Sequence, residues 1–410
     1  MYGLIGEKLG HSFSKEIHQK LADYDYQLIE LNQDEFKEFM TAREFDGINV
    51  TIPYKEAVIP YLDEMDPSAE KIGAVNTIVK RDGKLIGYNT DFDGLIYLLE
   101  MNNIDIKGKT VMILGTGGTS KTITAVCQEL GAEMIYKVSR SGGIYFNYEQ
   151  AESLDDVQVI FNASPKGMYP NNYEKPFNIT VFPKLESVVD VVYNPLNTNI
   201  VLLALAQGLN TVGGLEMLVA QAKKAAEIFT DTKIDDSKNG EIYLELCRKL
   251  QNIVLIGMPC SGKSSVGRLL SEKLNMPFVD SDDEIIKFAG KSIPEIFAED
   301  GEKEFRKIET EVIRKIAAGN GQIIATGGGI VKDLRNIQAL QQNGIIFFLD
   351  RDLDKMITDD NRPLTKSKAD LEKLLEERYE RYDNYCDYKV FNNGALEDAV
   401  NEILATVKGE

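Results

Sequence analysis

The sequence predicts an α/β protein carrying two nucleotide-binding folds, and three observations lead there. Residues 252–264 run from four apolar residues, Ile253 to Ile256, into Gly257 and close on Gly262-Lys263-Ser264, the spacing of a phosphate loop. Residues 109–120 run from a second apolar strand into Gly115-Thr116-Gly117-Gly118-Thr119, the glycine arrangement of a dinucleotide fold, with Ser120 where a third small residue packs. Across residues 1–100, short apolar strands alternate with helical patterns. A phosphate loop follows the first strand of its fold, so one domain is expected over 251–410 and another over 1–250.

Composition narrows the function classes. At 410 residues the chain can build two or three domains, each with its own core. The net charge of −19 opposes binding to nucleic acid or anionic lipid, so anionic small molecules must be held by local lysines and arginines. No apolar run reaches membrane-spanning length, and the N-terminus lacks a signal peptide's basic start. Cys127, Cys247, Cys260 and Cys386 form no C-x-x-C pair and suit a reducing, cytoplasmic setting. The histidines, His11 and His18, sit together near the N-terminus. That removes histidine-cluster metal sites and leaves most proton transfer to Lys, Asp, Glu or Tyr.

Taken in order, strands are expected at 2–6, 26–31 and 47–51, and helices at 14–22, 34–41 and 91–101. Polar clusters fall at 11–14, 49–55, 73–77 and 87–91, where open α/β sheets hold ligands. The first opens a helix that its hydroxyls are expected to cap. Together the four clusters point to a small hydroxylated ligand. The strand at 109–114 and its glycine turn lead into a helix reaching Leu130. The next strand, 134–138, ends in Ser139-Arg140-Ser141, with no acid at its tip to grip a ribose 2′-hydroxyl. An arginine flanked by hydroxyls favours a 2′-phosphate, hence NADP over NAD. Strands at 157–163 and 188–192 complete this sheet, and Gly213-Gly214 opens a helix over 215–229. Residues 231–240 read as a surface loop before a helix over 241–250.

Beyond the phosphate loop, a helix starting near Lys263 directs its free N–H groups at a polyphosphate. Lys263 adds charge at the β/γ-phosphates, and Ser264 is a hydroxyl ligand for Mg²⁺. Asp280 and Asp282 stand at alternate positions of an expected strand end, 278–282, and so share a face towards the loop. A strand at 322–325 ends in Thr326-Gly-Gly-Gly329, where glycine lets backbone approach a ligand. The polar loop 358–365 has a lid's composition and carries Arg362, and a helix over 370–382 carries Arg378.

Residues 1–250 resemble the shikimate dehydrogenases. The resemblance rests on GLIGEKLGHSFS, NVTIPYK, GAVNT, GYNTDFDG, GTGGTS, NASPKGM, DVVYNP and GGLEMLVAQA, in that order. It implies an N-terminal α/β substrate-binding subdomain over 1–100, completed by helices near 225–250, around an NADP-binding Rossmann subdomain over 101–224. It also implies that Ser12, Ser14, Thr51, Asn76, Asp91, Tyr193 and Gln221 hold shikimate. NADP falls to Gly115, Thr116, Gly117, Gly118 and Thr119, to Ser139, Arg140 and Ser141, and to Val191 and Gly214. Lys55, oriented by Asp91, becomes the proton donor to the substrate oxygen. Lys15 stands where the family usually has proline, and Ser139 where it usually has asparagine.

Residues 251–410 resemble the shikimate kinases, a P-loop α/β domain of the nucleoside-monophosphate-kinase type. By that resemblance Cys260, Ser261, Gly262, Lys263, Ser264 and Ser265 cradle ATP, and Ser264 with Asp280 holds Mg²⁺. Asp282 accepts the proton of the attacking hydroxyl. Arg306 and Arg378 clamp the shikimate carboxylate, Gly328 meets the ring, and Arg362 closes on the transferred phosphate. Read without the resemblance, Arg306 and Arg378 are partners for the glutamates of their acid-rich helices. Cys260 replaces a frequent glycine, and Lys355 stands where adenine-stacking arginines are frequent.

The combined expectation is a bifunctional enzyme reducing 3-dehydroshikimate to shikimate with NADPH, then phosphorylating shikimate with MgATP, as a monomer or homodimer. Two other readings are a metabolite-sensing regulator and a quinate dehydrogenase using NAD. Retention of Lys55, Asp91, Lys263 and Asp282 opposes the first. Ser12, Ser14 and Arg140 oppose the second.

Overall fold

A computed structural model describes all residues except His11, 175–177, 357–367 and 409–410. The chain forms two compact units, Met1–Leu246 and Cys247–Glu410. The division therefore falls inside the helix 237–250 rather than after it.

The first unit opens with β1 (Tyr2–Gly6), α1 (Ser14–Leu21), β2 (Tyr26–Glu30), α2 (Gln33–Ala42), β3 (Gly47–Val50), β4 (Glu64–Met65) and α3 (Pro67–Ile72). Next come β5 (Thr77–Arg81), β6 (Lys84–Tyr88) and α4 (Thr90–Met101). The sheet order is β2-β1-β3-β5-β6-β4, with β1 parallel to β2 and β3, and with β5 antiparallel to both β3 and β6. The β5–β6 hairpin is absent from the sequence expectation. Its turn, Asp82-Gly83, has positive φ at both residues, which gives the hairpin its reversal.

A second, all-parallel sheet follows, built from β7 (Thr110–Leu114), α5 (Gly118–Glu129), β8 (Met134–Val138), α6 (Tyr148–Ala151), β9 (Val159–Asn162), β10 (Ser187–Asp190), α7 (Asn199–Ala206) and β11 (Asn210–Val212). Its order is β11-β10-β9-β7-β8, so β7 lies at the point where the order reverses, the place such sheets hold a dinucleotide. Every residue of β7 is buried, as a strand covered on both faces requires.

Helix α8 (Leu215–Thr230) joins the two sheets. Its Met217 packs in the core of the second sheet, while Ala225 and Phe229 pack with Leu4 and Tyr26 of the first. It lies against α4 so closely that a Cβ at Gly94 would stand 2.8 Å from the Met217 carbonyl oxygen. Residues 231–240 depart from the surface loop expected. Ile234 donates its N–H to Glu227, buried Lys223 pairs with Asp236 at 2.6 Å, and α9 (Ser237–Leu250) begins with Ser237. Lys223 lies on the buried face of α8, and its charge requires those carboxylates.

The second unit holds β12 (Asn252–Ile256), α10 (Lys263–Leu274), β13 (Phe278–Asp280), α11 (Ser281–Ala289), α12 (Ile293–Glu299), α13 (Gly301–Ala317) and β14 (Ile323–Ala325). It continues with α14 (Leu334–Gln341), β15 (Gly344–Asp350), α15 (Lys368–Tyr385), β16 (Tyr388–Phe391) and α16 (Leu396–Lys408). The sheet is parallel throughout, in the order β13-β14-β12-β15-β16. One expectation is corrected here. The strand ends at Asp280, whose side chain accepts the Asp282 N–H and caps α11, so Asp282 stands in the first turn of a helix. A capping aspartate ends the extended run before alternation can place both acids on one strand face.

On the inner face of α1, His18 is fully buried, stacked on Tyr26 at 4.0 Å and hydrogen-bonded to the Tyr24 hydroxyl at 2.6 Å. Burial pushes its pKa down to about 3. Between its ordinary value near 6.5 and that level, the unfolded chain binds a proton that the native fold excludes. Stability should therefore fall on acidification, by about 1.4 kcal/mol per pH unit from this group. Denaturant unfolding between pH 7 and pH 4 should show a shallower loss in His18→Gln, and identical slopes would refute the assignment.

Candidate active sites

In the first unit, the N-cap residues of α1, α4, α5 and α8 make no side-chain cap, whereas α2 and α6 carry full capping boxes. Uncapped first turns leave N–H groups for a ligand. The expected capping by the 11–14 cluster is thus corrected. Ser12 Oγ accepts the Ser14 N–H and donates to Ser14 Oγ at 3.1 Å, and no side chain caps α1. The two hydroxyls stand as a pair at the helix entrance.

Behind them lies a buried polar network. Tyr26 Oη donates to Asn49 Oδ1 at 2.7 Å, and Asn49 Nδ2 donates to Thr77 Oγ1 at 2.9 Å. Asn76 Oδ1 accepts the Thr90 N–H at 2.7 Å, and Thr90 also reaches Gln221. Asn49, Thr77 and Thr90, which fall within the polar clusters at 49–55, 73–77 and 87–91 but have no role of their own in the sequence expectation, brace Asn76 and Gln221. Thr51 follows β3 directly, with its N–H on the Ile5 carbonyl. Tyr193 packs edge-on against Phe13 at 5.9 Å, and its burial raises the phenol's pKa.

Lys55 is mostly buried and pairs with Asp91 at 2.6 Å. Its aliphatic stem crosses to the other sheet, where a Cβ at Gly118 would lie 3.6 Å from Lys55 Cδ. The glycine turn fits a pyrophosphate. Gly115 has φ +110 and a Cβ there would meet the Ala163 carbonyl at 2.9 Å, while Gly117 N-caps α5 over open space. Val191 and Gly214 abut, since a Cβ at Gly214 would stand 2.2 Å from the Val191 carbonyl oxygen. Asp190, buried, accepts from Asn162, the Val192 N–H and Thr198, which ties the 162–168 and 190–195 loops together. Burial lifts its pKa to about 6.

In the second unit, a cleft of about 310 Å³ brings together Cys260, Gly262, Lys263, Ser264, Ser265, Asp280, Asp282 and Gly328, along with Arg351 and Lys355. Gly262, at φ +94, N-caps α10 without a side chain. The Lys263 ammonium donates to the carbonyls of Gly257 and Met258, and buried Ser261 lies beneath the loop. Cys260 takes a left-handed φ of +64, the strained conformation that its position imposes on a side chain. Ser264 Oγ and Asp280 Oδ2 lie 2.7 Å apart. Two hard oxygens fit Mg²⁺, which takes one or two protein ligands and completes its shell with water and phosphate.

The glycines after β14 each lean on a different group. A Cβ at Gly327 would lie 2.8 Å from Asp282 Oδ1, at Gly328 2.6 Å from the Pro259 ring, and at Gly329 2.4 Å from Arg306 Nη1. Arg378 is buried and donates to the Gly328 carbonyl at 3.0 Å, and Tyr382 Oη reaches the same oxygen. Arg306 does pair within its helix, with Glu302 and with the buried Glu309. Yet its guanidinium also lies against Gly329, so the helix pairing holds it beside the glycine run. Burial raises the Glu309 pKa, opposed by Arg306. Glu309 and Tyr382 were not anticipated. Arg362 lies outside the described residues.

Comparison with known proteins adds to this geometry. Residues 4–78 match the family model of the shikimate dehydrogenase substrate binding domain, and residues 259–408 match that of shikimate kinase. A shikimate dehydrogenase (NADP(+)) of Clostridium perfringens is 40% identical over 268 residues, covering 60% of this chain and 99% of the relative. The crystal structure of shikimate dehydrogenase 1 from Peptoclostridium difficile is 38% identical, covers 60% of this chain and 97% of its own, and superposes with a TM-score of 0.56. A chorismate mutase/shikimate 5-dehydrogenase fusion protein from Clostridium acetobutylicum is 37% identical over 60% of this chain and 96% of its own, with a TM-score of 0.57.

The contact at Gly214 generates a test. Gly214→Ala drives a methyl into the Val191 carbonyl and should cost about 1–3 kcal/mol. Chemical denaturation should report that loss, and an unchanged midpoint would show that the two loops are not packed as described.

Proposed function

Because the chain belongs to the shikimate dehydrogenase family over 60% of its length and carries a shikimate kinase domain behind it, we propose that one polypeptide performs two consecutive reactions. The first reduces 3-dehydroshikimate to shikimate, and the second phosphorylates the shikimate 3-hydroxyl. The observation that carries the first step is the passage of Lys55 from the substrate side to the glycine turn, with Asp91 fixing its ammonium.

NADPH bound at the Gly115–Gly118 turn would supply the hydride for the C3 ketone. As the ketone oxygen gains charge, Lys55 Nζ gives it a proton, and Asp91 holds the ammonium in place and accepts from a substrate hydroxyl. Ser12, Ser14, Thr51, Asn76, Tyr193 and Gln221 hold the remaining oxygens of the ring acid. Val191 and Gly214 line the nicotinamide end, and Thr116, Thr119 and Ser141 complete the cofactor contacts. Neither step uses a histidine, in keeping with the neutral, buried state of His18.

In the second unit, MgATP would supply the phosphoryl group, with Ser264 and Asp280 on the metal side and Lys263 and the α10 N-terminus on the phosphates. Asp282 takes the proton from the attacking hydroxyl. Arg306 and Arg378, with Gly328, hold the carboxylate and ring, and Arg362 is assigned to the transferred phosphate. This division suits phosphoryl transfer, which needs positioning and charge neutralisation more than covalent help.

Lys55→Ala should lower shikimate oxidation by about 10²–10⁴-fold and leave phosphorylation near its original rate, and Asp282→Asn should do the reverse. The check is a pair of initial-rate assays, NADPH formation from shikimate and ADP release from shikimate with MgATP, alongside a coupled run from 3-dehydroshikimate. Loss of both activities from either substitution in folded protein would overturn the two-site reading.

A further inference from the structure

The preference for a 2′-phosphorylated cofactor is decided over the tips of β8 and β9, which flank β7. The β8 tip alone offers less than its sequence suggests. Ser139 donates its hydroxyl to the Gly142 carbonyl at 3.1 Å and its N–H to the Phe146 carbonyl at 2.9 Å, so it is spent on closing the turn. Arg140 is exposed and forms no ion pair among the described residues. A dianionic phosphate held by one exposed arginine gains little.

The turn that consumes Ser139 has another result. It carries the chain back to Asn147, whose capping box fixes the start of α6 and with it Tyr148. The Tyr148 ring is half-buried, hydrogen-bonded with Ser164 and within the electrostatic reach of Arg140. Over that ring sits Lys166, with its ammonium 4.7 Å from the centroid. The lysine's backbone is pinned: Asn162 Nδ2 donates to its carbonyl at 3.2 Å, and its N–H reaches Ser164 Oγ at 3.4 Å. No described carboxylate neutralises Lys166, and a neutral ring leaves its charge intact while removing much of its freedom.

We propose that Lys166, seated on the Tyr148 ring that also feels Arg140, is the second cation of the adenosine 2′-phosphate site and sets the selectivity for NADP over NAD. The inference rests on the dehydrogenase reading above. Two cations, one of them ordered on a ring, reward a phosphate at the ribose 2′ position and give nothing extra to a hydroxyl there. Tyr148 acts as a positioning residue, since it orders the lysine that makes the contact.

The test is direct binding, read from nicotinamide fluorescence as NADPH and NADH are each titrated into the full-length protein. Lys166→Met should weaken NADPH by about tenfold, the size of one charge-assisted contact, and lower the NADPH-to-NADH affinity ratio by about the same factor. Lys166→Arg should recover most of the ratio. Tyr148→Phe should preserve it and Tyr148→Leu should lose it. Equal weakening of both cofactors, or no change in the ratio, would overturn the proposal. Failure of the dehydrogenase reading itself would look different, because the unaltered protein would then bind neither cofactor.

Discussion

The first unit depends on how closely α4 and α8 approach. The two helices touch at Gly94, with the Met217 carbonyl at a distance that excludes any side chain. Helix α4 carries Asp91 in its first turn beside the first sheet and α8 ends in that sheet's aromatic core, while Met217 belongs to the core of the second sheet. The packed pair therefore sets the width of the cleft. That width decides whether the Lys55 stem can lie against the glycine turn while its ammonium meets Asp91. A rigid helix pair does this better than loops, because well-packed interiors shift little.

The helices that follow the two glycine turns, α5 and α10, both start without a side-chain cap. A capped helix is more stable by itself by about 1 kcal/mol, so leaving α5 and α10 open sacrifices some stability for anion binding. The second unit offsets part of that loss internally. Lys263 holds the Gly257 and Met258 carbonyls, and Asn392 Nδ2 holds the Ser261 carbonyl at 2.7 Å. The loop is thus shaped before a phosphate arrives, so little ordering remains to be done on binding.

Much of this was legible in the sequence, for identifiable reasons. The buried strands β7 and β12 are unbroken apolar runs that end in glycine, and glycine is required where backbone meets phosphate. What could not be read depends on tertiary contacts. The pairing of β5 with β6 hangs on Asp82-Gly83 turn geometry, and residues 231–236 look solvated until Lys223 is found buried beneath them. Asp280 and Asp282 share a cleft for a reason other than strand alternation, since capping by Asp280 starts the helix that carries Asp282. Glu309 left no signal, because i,i+3 partners of an arginine are common and only burial marks this one as an orienting group.

The run Gly327-Gly328-Gly329 has a consequence for the chain's tolerance of genetic change. Each position borders a different component: the acid at Asp282, the phosphate-loop proline Pro259, and the Arg306 guanidinium. Any missense codon there inserts an atom into one component while its neighbours stay in place. Three adjacent codons thus form a small mutational target where substitutions should be purged one by one, each through its own chemical defect, and where no second-site change elsewhere in the strand could compensate for all three.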